Sequence, residues 1–230
     1  MTQNLTGSTS ATLTIDAEPG PVSVELERTA LIVIDMQKDF MYPGGYGESL
    51  GNDPRVLLEA VEPTEAVLGA ARDLGMLIIH TREGHVPDLS DCPDTKLLRW
   101  PAGSRIGDVG PMGRILVRGE EGHAIIDEVT PAPGETIIDK PGKNAFYNTD
   151  LQELLTERRI VNLLIAGVTT DVCCSTTVSG ANDRGFNAIV LADCMASYNR
   201  ARHASSLEII KAQGGIFGWV TQSARFLEAL

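Results

Sequence analysis

A three-layer α/β fold, with a parallel sheet covered by helices on both faces, is what this sequence predicts, and two observations carry the prediction. Short aliphatic or β-branched runs alternate along the chain with segments of helical period. The 230 residues, 43% of them hydrophobic and 22% charged, suffice for one well-buried core. Strands joined through helices of this length lie parallel and are buried on both faces.

In chain order, Met1 to Glu18 is rich in Thr, Ser, Asn and Gly without a helical period. It reads as a flexible or extended arm ahead of a single domain over residues 19–230. Thr29–Asp35 is a strand, Arg55–Leu74 a helix, Met76–Thr81 a strand, Glu135–Asp139 a strand and Thr149–Glu157 a helix. The unit then recurs: Asn162–Gly167 strand, Val172–Arg184 helix, Asn187–Ala192 strand, Arg200–Gln213 helix. Ile216–Val220 is a last strand or turn, and Thr221–Leu230 closes the chain as a helix. Between Glu83 and Glu121, Pro87, Pro93, Pro101 and Pro111 break any period, and a loop that long in a compact domain is usually functional.

Composition excludes several classes of function. A formal charge of −12 makes a basic patch hard to build, so neither nucleic acid nor an anionic membrane surface is an expected partner. No apolar run approaches a bilayer span. Cys92, Cys173, Cys174 and Cys194 form no CxxC pair and follow no secretory segment, which predicts free thiols in the cytoplasm.

Chemistry on a parallel sheet gathers at the carboxyl ends of its strands. There Asp35 follows Leu31–Ile34, Lys140 follows Ile137–Asp139, and Cys173 follows Ile165–Gly167 through a short turn. At the start of a helix Cys173 is offered unpaired N–H groups and a partial positive charge. With a lysine nearby this predicts a depressed thiol pKa, and Thr169, Thr170 and Asp171 are the expected capping oxygens. The N–H groups are a candidate oxyanion hole, Lys140 a stabilising cation and Asp35 a proton acceptor for the thiol. Free cysteines are often plain buried hydrophobes and an aspartate after a strand is often a turn residue. Joint placement on one edge is what gives the three residues weight.

The segments Thr29-Ala-Leu-Ile-Val-Ile-Asp-Met-Gln-Lys-Asp-Phe40, Lys140-Pro-Gly-Lys-Asn-Ala-Phe-Tyr-Asn-Thr-Asp150 and Gly167-Val-Thr-Thr-Asp-Val-Cys-Cys-Ser-Thr-Thr177 resemble the signatures of isochorismatase-like cysteine hydrolases, a Rossmann-like fold family. The resemblance implies Asp35, Lys140 and Cys173 as the catalytic set, with Lys143 and Cys174 the lesser candidates in their segments. It also implies a cis peptide between Val168 and Thr169. His80-Thr-Arg-Glu-Gly-His85, Gly113-Arg-Ile-Leu116, Arg118-Gly-Glu120 and Ala212-Gln-Gly-Gly-Ile-Phe-Gly218 are most similar to the biuret hydrolases of that family. This implies Gln213 as a substrate contact, with Phe40, Phe146, Val168 and Thr169 around the substrate, and a homo-oligomer, a tetramer.

The expected reaction is hydrolysis of a C–N bond in a small ureido compound, biuret to allophanate and ammonia. Triuret, ureidoacrylate and N-carbamoyl amino acids are the alternatives of the same chemistry. A non-catalytic oligomerisation or binding module is the alternative of another class, and the intact Asp, Lys and Cys set speaks against it. Some relatives bind a metal through an Asp and two histidines. His80, His85, His123 and His203 do not present that set, so no metal or cofactor is expected.

Overall fold

The computed structural model describes residues 12–230. Strands β1 (Thr12–Ile15) and β2 (Val22–Glu25) pair as an antiparallel hairpin. After β3 (Thr29–Ile34) come the short helices α1 (Lys38–Met41) and α2 (Tyr46–Ser49), a 3-10 turn over Pro54–Ala60, then α3 (Val61–Asp73) and β4 (Leu77–Glu83). The long middle segment holds α4 (Asp94–Leu97) and a small hairpin of β5 (Val109–Gly110) with β6 (Gly113–Arg114). The rest alternates: β7 (Thr136–Lys140), α5 (Leu151–Glu157), β8 (Asn162–Val168), a π turn over Thr170–Cys174 running into α6 (Ser175–Asn182), β9 (Asn187–Ala196), α7 (Arg200–Gly215), β10 (Trp219–Thr221) and α8 (Ser223–Glu228).

Six strands form one parallel sheet in the order β10-β9-β8-β3-β4-β7. Successive side chains of a strand point to opposite faces, so Leu31 and Val33 enter one apolar cluster and Ala30, Ile32 and Ile34 the other. The first cluster is covered by the hairpin, α3 and α8, the second by α5, α6 and α7. Helices thus lie on both faces, as the alternation predicts.

Three departures from the sequence reading have physical causes. The helix predicted over Arg55–Leu74 divides because Pro63 lacks an N–H and its ring collides with a carbonyl four residues back. Only a new first turn at Val61 accommodates it. The residues Thr12 to Ala17, assigned to an arm outside the core, alternate exposed and buried. Leu13, Ile15 and Ala17 join the first core cluster, so this part of the arm belongs to the fold. Residues 1–11 lie outside the described residues. Third, α7 loses helical geometry at Ala212, Gln213 and Gly214.

Chain order reverses between β3 and its two neighbours: β4 and β7 lie on one side, β8, β9 and β10 on the other. A crevice opens outside the carboxyl ends of the strands at such a switch point. Beside it, Gly167 has a φ of +116° at an irregularity between β8 and β9, and a Cβ there would lie 2.1 Å from the Ile34 carbonyl oxygen. Only glycine lets β8 approach β3 this closely.

Candidate active site

Asp35 terminates β3 in the left-handed region, at φ 50°, uncommon for a residue with a side chain and frequent where function fixes the backbone. Its N–H donates to the Thr81 carbonyl, and its Oδ1 accepts from the Thr81 hydroxyl at 2.6 Å. Lys140, the last residue of β7, brings Nζ to 2.7 Å from Asp35 Oδ2, and both side chains are fully buried. The ammonium, which carries three donors, also gives a hydrogen bond to the Gly142 carbonyl at 2.8 Å. Burial alone would lower the Lys140 pKa. Asp35, Cys173 and Glu83 outweigh it and hold the ammonium above its ordinary value.

Cys173 sits in the π turn beyond β8 and is buried. The Val168–Thr169 peptide before it is cis, as the resemblance implies. The expected depressed thiol is not found: burial pushes the Cys173 pKa well above the thiol range, Asp35 and Glu83 add to the rise, and Lys140 and Lys143 only oppose it. Nor do the expected caps form. Thr169 makes no side-chain cap, Thr170 pairs with His203 Nδ1 at 2.8 Å, and Asp171 accepts from the Ser197 hydroxyl at 2.6 Å. These side chains lash the turn to the segment entering α7 rather than to its own helix.

The sequence reading missed Glu83, which it placed at the start of the long middle loop. This fully buried carboxylate ends β4 beside Lys140 in register, and the Cys173 thiol donates to its Oε2 at 3.6 Å. Gln37 fixes its backbone, accepting from the Glu83 N–H at 2.7 Å and donating to the Glu83 carbonyl at 3.0 Å. Lys143 donates to both carboxylate oxygens, at 2.6 and 2.8 Å, and Lys96 on α4 reaches Oε1 at 3.3 Å. Burial would raise the Glu83 pKa, but Lys143, Lys140 and Lys96 bring it down to about 2. Two carboxylates therefore face three ammonium groups, and with Cys173 as a neutral thiol the cluster holds one positive charge in surplus.

Of these groups Glu83, Lys143 and Cys173 line a cavity of about 120 Å³, smaller than the several hundred Å³ of sites for drug-sized ligands, while Asp35 and Lys140 are fully buried outside its lining. Phe40, Val168 and Thr169 are among its walls, joined by Tyr46 and Tyr198. Phe146 does not reach it. Stacked on Phe186 at 5.8 Å under the Arg184 guanidinium, it lines a separate open groove that shares only Lys143 with the cavity. Gln213 does not reach it either. From the catalytic edge at Arg200, α7 runs back toward the start of β10, and the helical rise carries Gln213 roughly 20 Å away, where it is exposed at the kink.

Tyr198 donates to the Phe40 carbonyl at 2.8 Å across the cavity wall. A Cβ on Gly47 would lie 2.1 Å from its hydroxyl oxygen. Gly47→Ala is expected to displace the phenol, break that bond and lower turnover at least roughly tenfold, with a loss of ~1–2 kcal/mol in urea unfolding. Unchanged kinetics would show that Tyr198 moves without consequence.

Carboxylate oxygens of Asp35 and Glu83 and the Cys173 sulfur lie within 4.8 Å of one another, close enough to ligate a cation. Each carboxylate is already paired with a lysine, and a dication there would be repelled by three ammonium groups, so the donor set does not suit a metal. The four histidines serve separate partners: His80 Glu135, His85 Asp91 and Lys96, His123 Asp139, His203 Thr170.

Burial, aided by Arg82 and Arg118, holds His123 at about 4, and burial also lowers His80 and His85. Below the ordinary value of 6.5 the unfolded chain takes up protons that the folded chain refuses, so stability falls with pH down to about 4. Glu83 and Glu135, both held at about 2, contribute stability above the ordinary carboxylate value of 4.5 that is lost as pH falls toward 2. Thermal melts from pH 8 to 3 should show a declining Tm below about 6.5 and a steeper decline below about 4.5. A Tm constant between pH 7 and 5 would contradict the histidine assignment.

Compared with known proteins, the chain matches the isochorismatase domain over residues 29–225. It is 30% identical over 222 residues to the ureidoacrylate amidohydrolase RutB of Methylorubrum extorquens, covering 95% of this chain and 89% of that protein. A cysteine hydrolase from Pseudomonas syringae pv. phaseolicola 1448A superposes with a TM-score of 0.76 at 29% identity, over 90% of this chain and 96% of the other. N-carbamoylsarcosine amidase from Thermoplasma acidophilum shares the fold, with a TM-score of 0.66 at 23% identity over 85% and 96% of the two chains.

Proposed function

Since the chain belongs to the isochorismatase family and its relatives make it a hydrolase of amide C–N bonds, we propose that it cleaves a small ureido compound, biuret to allophanate and ammonia, with Cys173 as nucleophile. The observation that carries this reading is the closeness of the Cys173 thiol, on the wall of a cavity of about 120 Å³, to the buried Asp35–Lys140 pair.

Because the resting thiol is protonated, attack and deprotonation go together. Asp35, with a carboxylate oxygen within 4.8 Å of the sulfur, takes the proton as sulfur bonds to the carbonyl carbon. The Lys140 ammonium and the first N–H groups of the π turn stabilise the oxyanion. Asp35 then returns the proton to the departing nitrogen, the C–N bond breaks, and ammonia leaves an acyl thioester on Cys173. Water, deprotonated by Asp35, attacks the thioester, the C–S bond breaks and Asp35 returns the proton to sulfur, while the acid product gives its remaining proton to solvent or to the released ammonia and leaves as a carboxylate. The scheme calls for no metal or organic cofactor.

Biuret is supported by the smallness of the cavity and by the segments shared with biuret hydrolases. Ureidoacrylate is the second reading, favoured by the name of the relative from Methylorubrum extorquens. No helix among the described residues is long and apolar enough to cross a membrane, and all four cysteines are free, which accords with a cytoplasmic enzyme. Ammonia release by metal-depleted protein against biuret, triuret, ureidoacrylate, N-carbamoyl amino acids and nicotinamide tests the reading. Turnover of a ureido compound without metal is expected. Activity on nicotinamide alone, dependent on added metal, would overturn it.

A further inference from the structure

The mechanism above leaves Glu83 and Lys143 without a task, although both line the cavity and Glu83 makes the hydrogen bond to the nucleophile. Proton transfer is not their role, since a carboxylate ringed by ammonium groups is a weak base. What the pair offers is a fixed acceptor beside a fixed donor. Glu83 is fully buried and its backbone is clamped by Gln37. Lys96 adds a third restraint, its ammonium spanning Glu83 Oε1, His85 Nε2 at 3.0 Å and the Pro141 carbonyl at 2.7 Å. Lys143 is the partner with room to move, its side chain 39% exposed and common to the cavity and the neighbouring groove.

We infer that Glu83 and Lys143 are the specificity-determining residues of the site, reading an N–H and the carbonyl beyond it in an acylurea-type substrate. Biuret carries its central N–H one bond from the carbon that Cys173 attacks and its second carbonyl one bond further. With sulfur at that carbon, the central N–H donates to Glu83 Oε2, the oxygen that the thiol gives up on deprotonation. The second carbonyl oxygen accepts from Lys143. The substrate thus inherits a hydrogen bond the thiol vacates, and Glu83 is never left without a donor. A carboxylate acceptor enforces the N–H, because a methyl group in its place leaves unfilled the acceptor position on Oε2 that the thiol vacates, Lys143 and Lys96 serving the others.

This inference rests on the ureido-hydrolase reading, and one kinetic comparison separates the two. Ammonia release is measured with biuret and with 3-methylbiuret, which lacks the central N–H, for the wild type, Glu83→Gln and Cys173→Ser. If another ureido compound leads the substrate panel, it and its N-methyl derivative take their place. The wild type is expected to prefer biuret. Glu83→Gln should lose roughly 10- to 100-fold in kcat/KM for biuret, the worth of a hydrogen bond to a charged group, and far less for the methylated compound, so the preference collapses. A purely structural role would lower both rates together and leave the preference intact, and that result overturns the inference while the function stands. Activity retained by Cys173→Ser overturns the function and the inference with it. Should Glu83→Gln fail to fold by circular dichroism, Lys143→Gln on the cavity wall decides instead. A tenfold or greater rise in KM for biuret supports the inference, and an unchanged KM overturns it.

Discussion

Lys140→Met should abolish turnover, lowering kcat by roughly 10³-fold or more, and should also destabilise the fold by ~3–5 kcal/mol. The two losses have one origin. Asp35 and Lys140 are both fully buried, and neither has access to solvent to replace the other. Removing the ammonium leaves a carboxylate in a low-dielectric interior, where it must either stay charged at high cost or take up a proton and cease to act as base. The double variant Asp35→Asn/Lys140→Met removes both charges. It should recover much of the stability and none of the activity, a separation visible when urea unfolding and ammonia release are measured on the same preparations. A Lys140→Met protein that unfolds like the wild type would mean that the pair is hydrated and the argument from burial fails.

Cys173→Ser should reduce kcat by roughly 10³-fold or more while changing Tm by no more than about 2 °C. The hydroxyl fits the space of the thiol and still donates toward Glu83, so the structure has little reason to change. Its proton, however, is far harder to remove than that of a thiol. The same reasoning predicts slow alkylation of the wild-type thiol by iodoacetamide near neutral pH, accelerating as pH rises, because burial keeps the resting sulfur protonated. Rapid alkylation at pH 7 would restore the resting thiolate that the sequence had suggested.

Asp35, Lys140 and Cys173 were legible because each follows a run of apolar residues that ends at the sheet edge, a local pattern. Glu83 obeys the same rule and was hidden by two residues: the run from Met76 was read as ending at Thr81, while β4 continues through Arg82 and Glu83. Charged residues inside a strand look like loop until their partners are known. Those partners, Asp139 for Arg82 and Lys143 for Glu83, lie more than fifty residues away. The direction of the Cys173 shift was equally out of reach, since helix start and lysine are visible in sequence but the depth of burial is not. The β1 strand was readable from the alternation in Thr12-Leu-Thr-Ile15, which the polar composition around it obscured. Phe146 and Gln213 came from resemblance alone, and within one chain the path of α7 and the stacking on Phe186 take them elsewhere.

The three ammonium groups set against two carboxylates leave the cluster at and behind the cavity wall with a positive surplus that a single migrating anion would meet. In the proposed reaction that charge appears on oxygen at each tetrahedral stage, vanishes in the neutral thioester and returns on the carboxylate product. Every charged intermediate is thus welcomed by the same fixed surplus, but so is the product. If the proposed reaction holds, such a site should bind its product better than its substrate, and release of the carboxylate is the expected slow step.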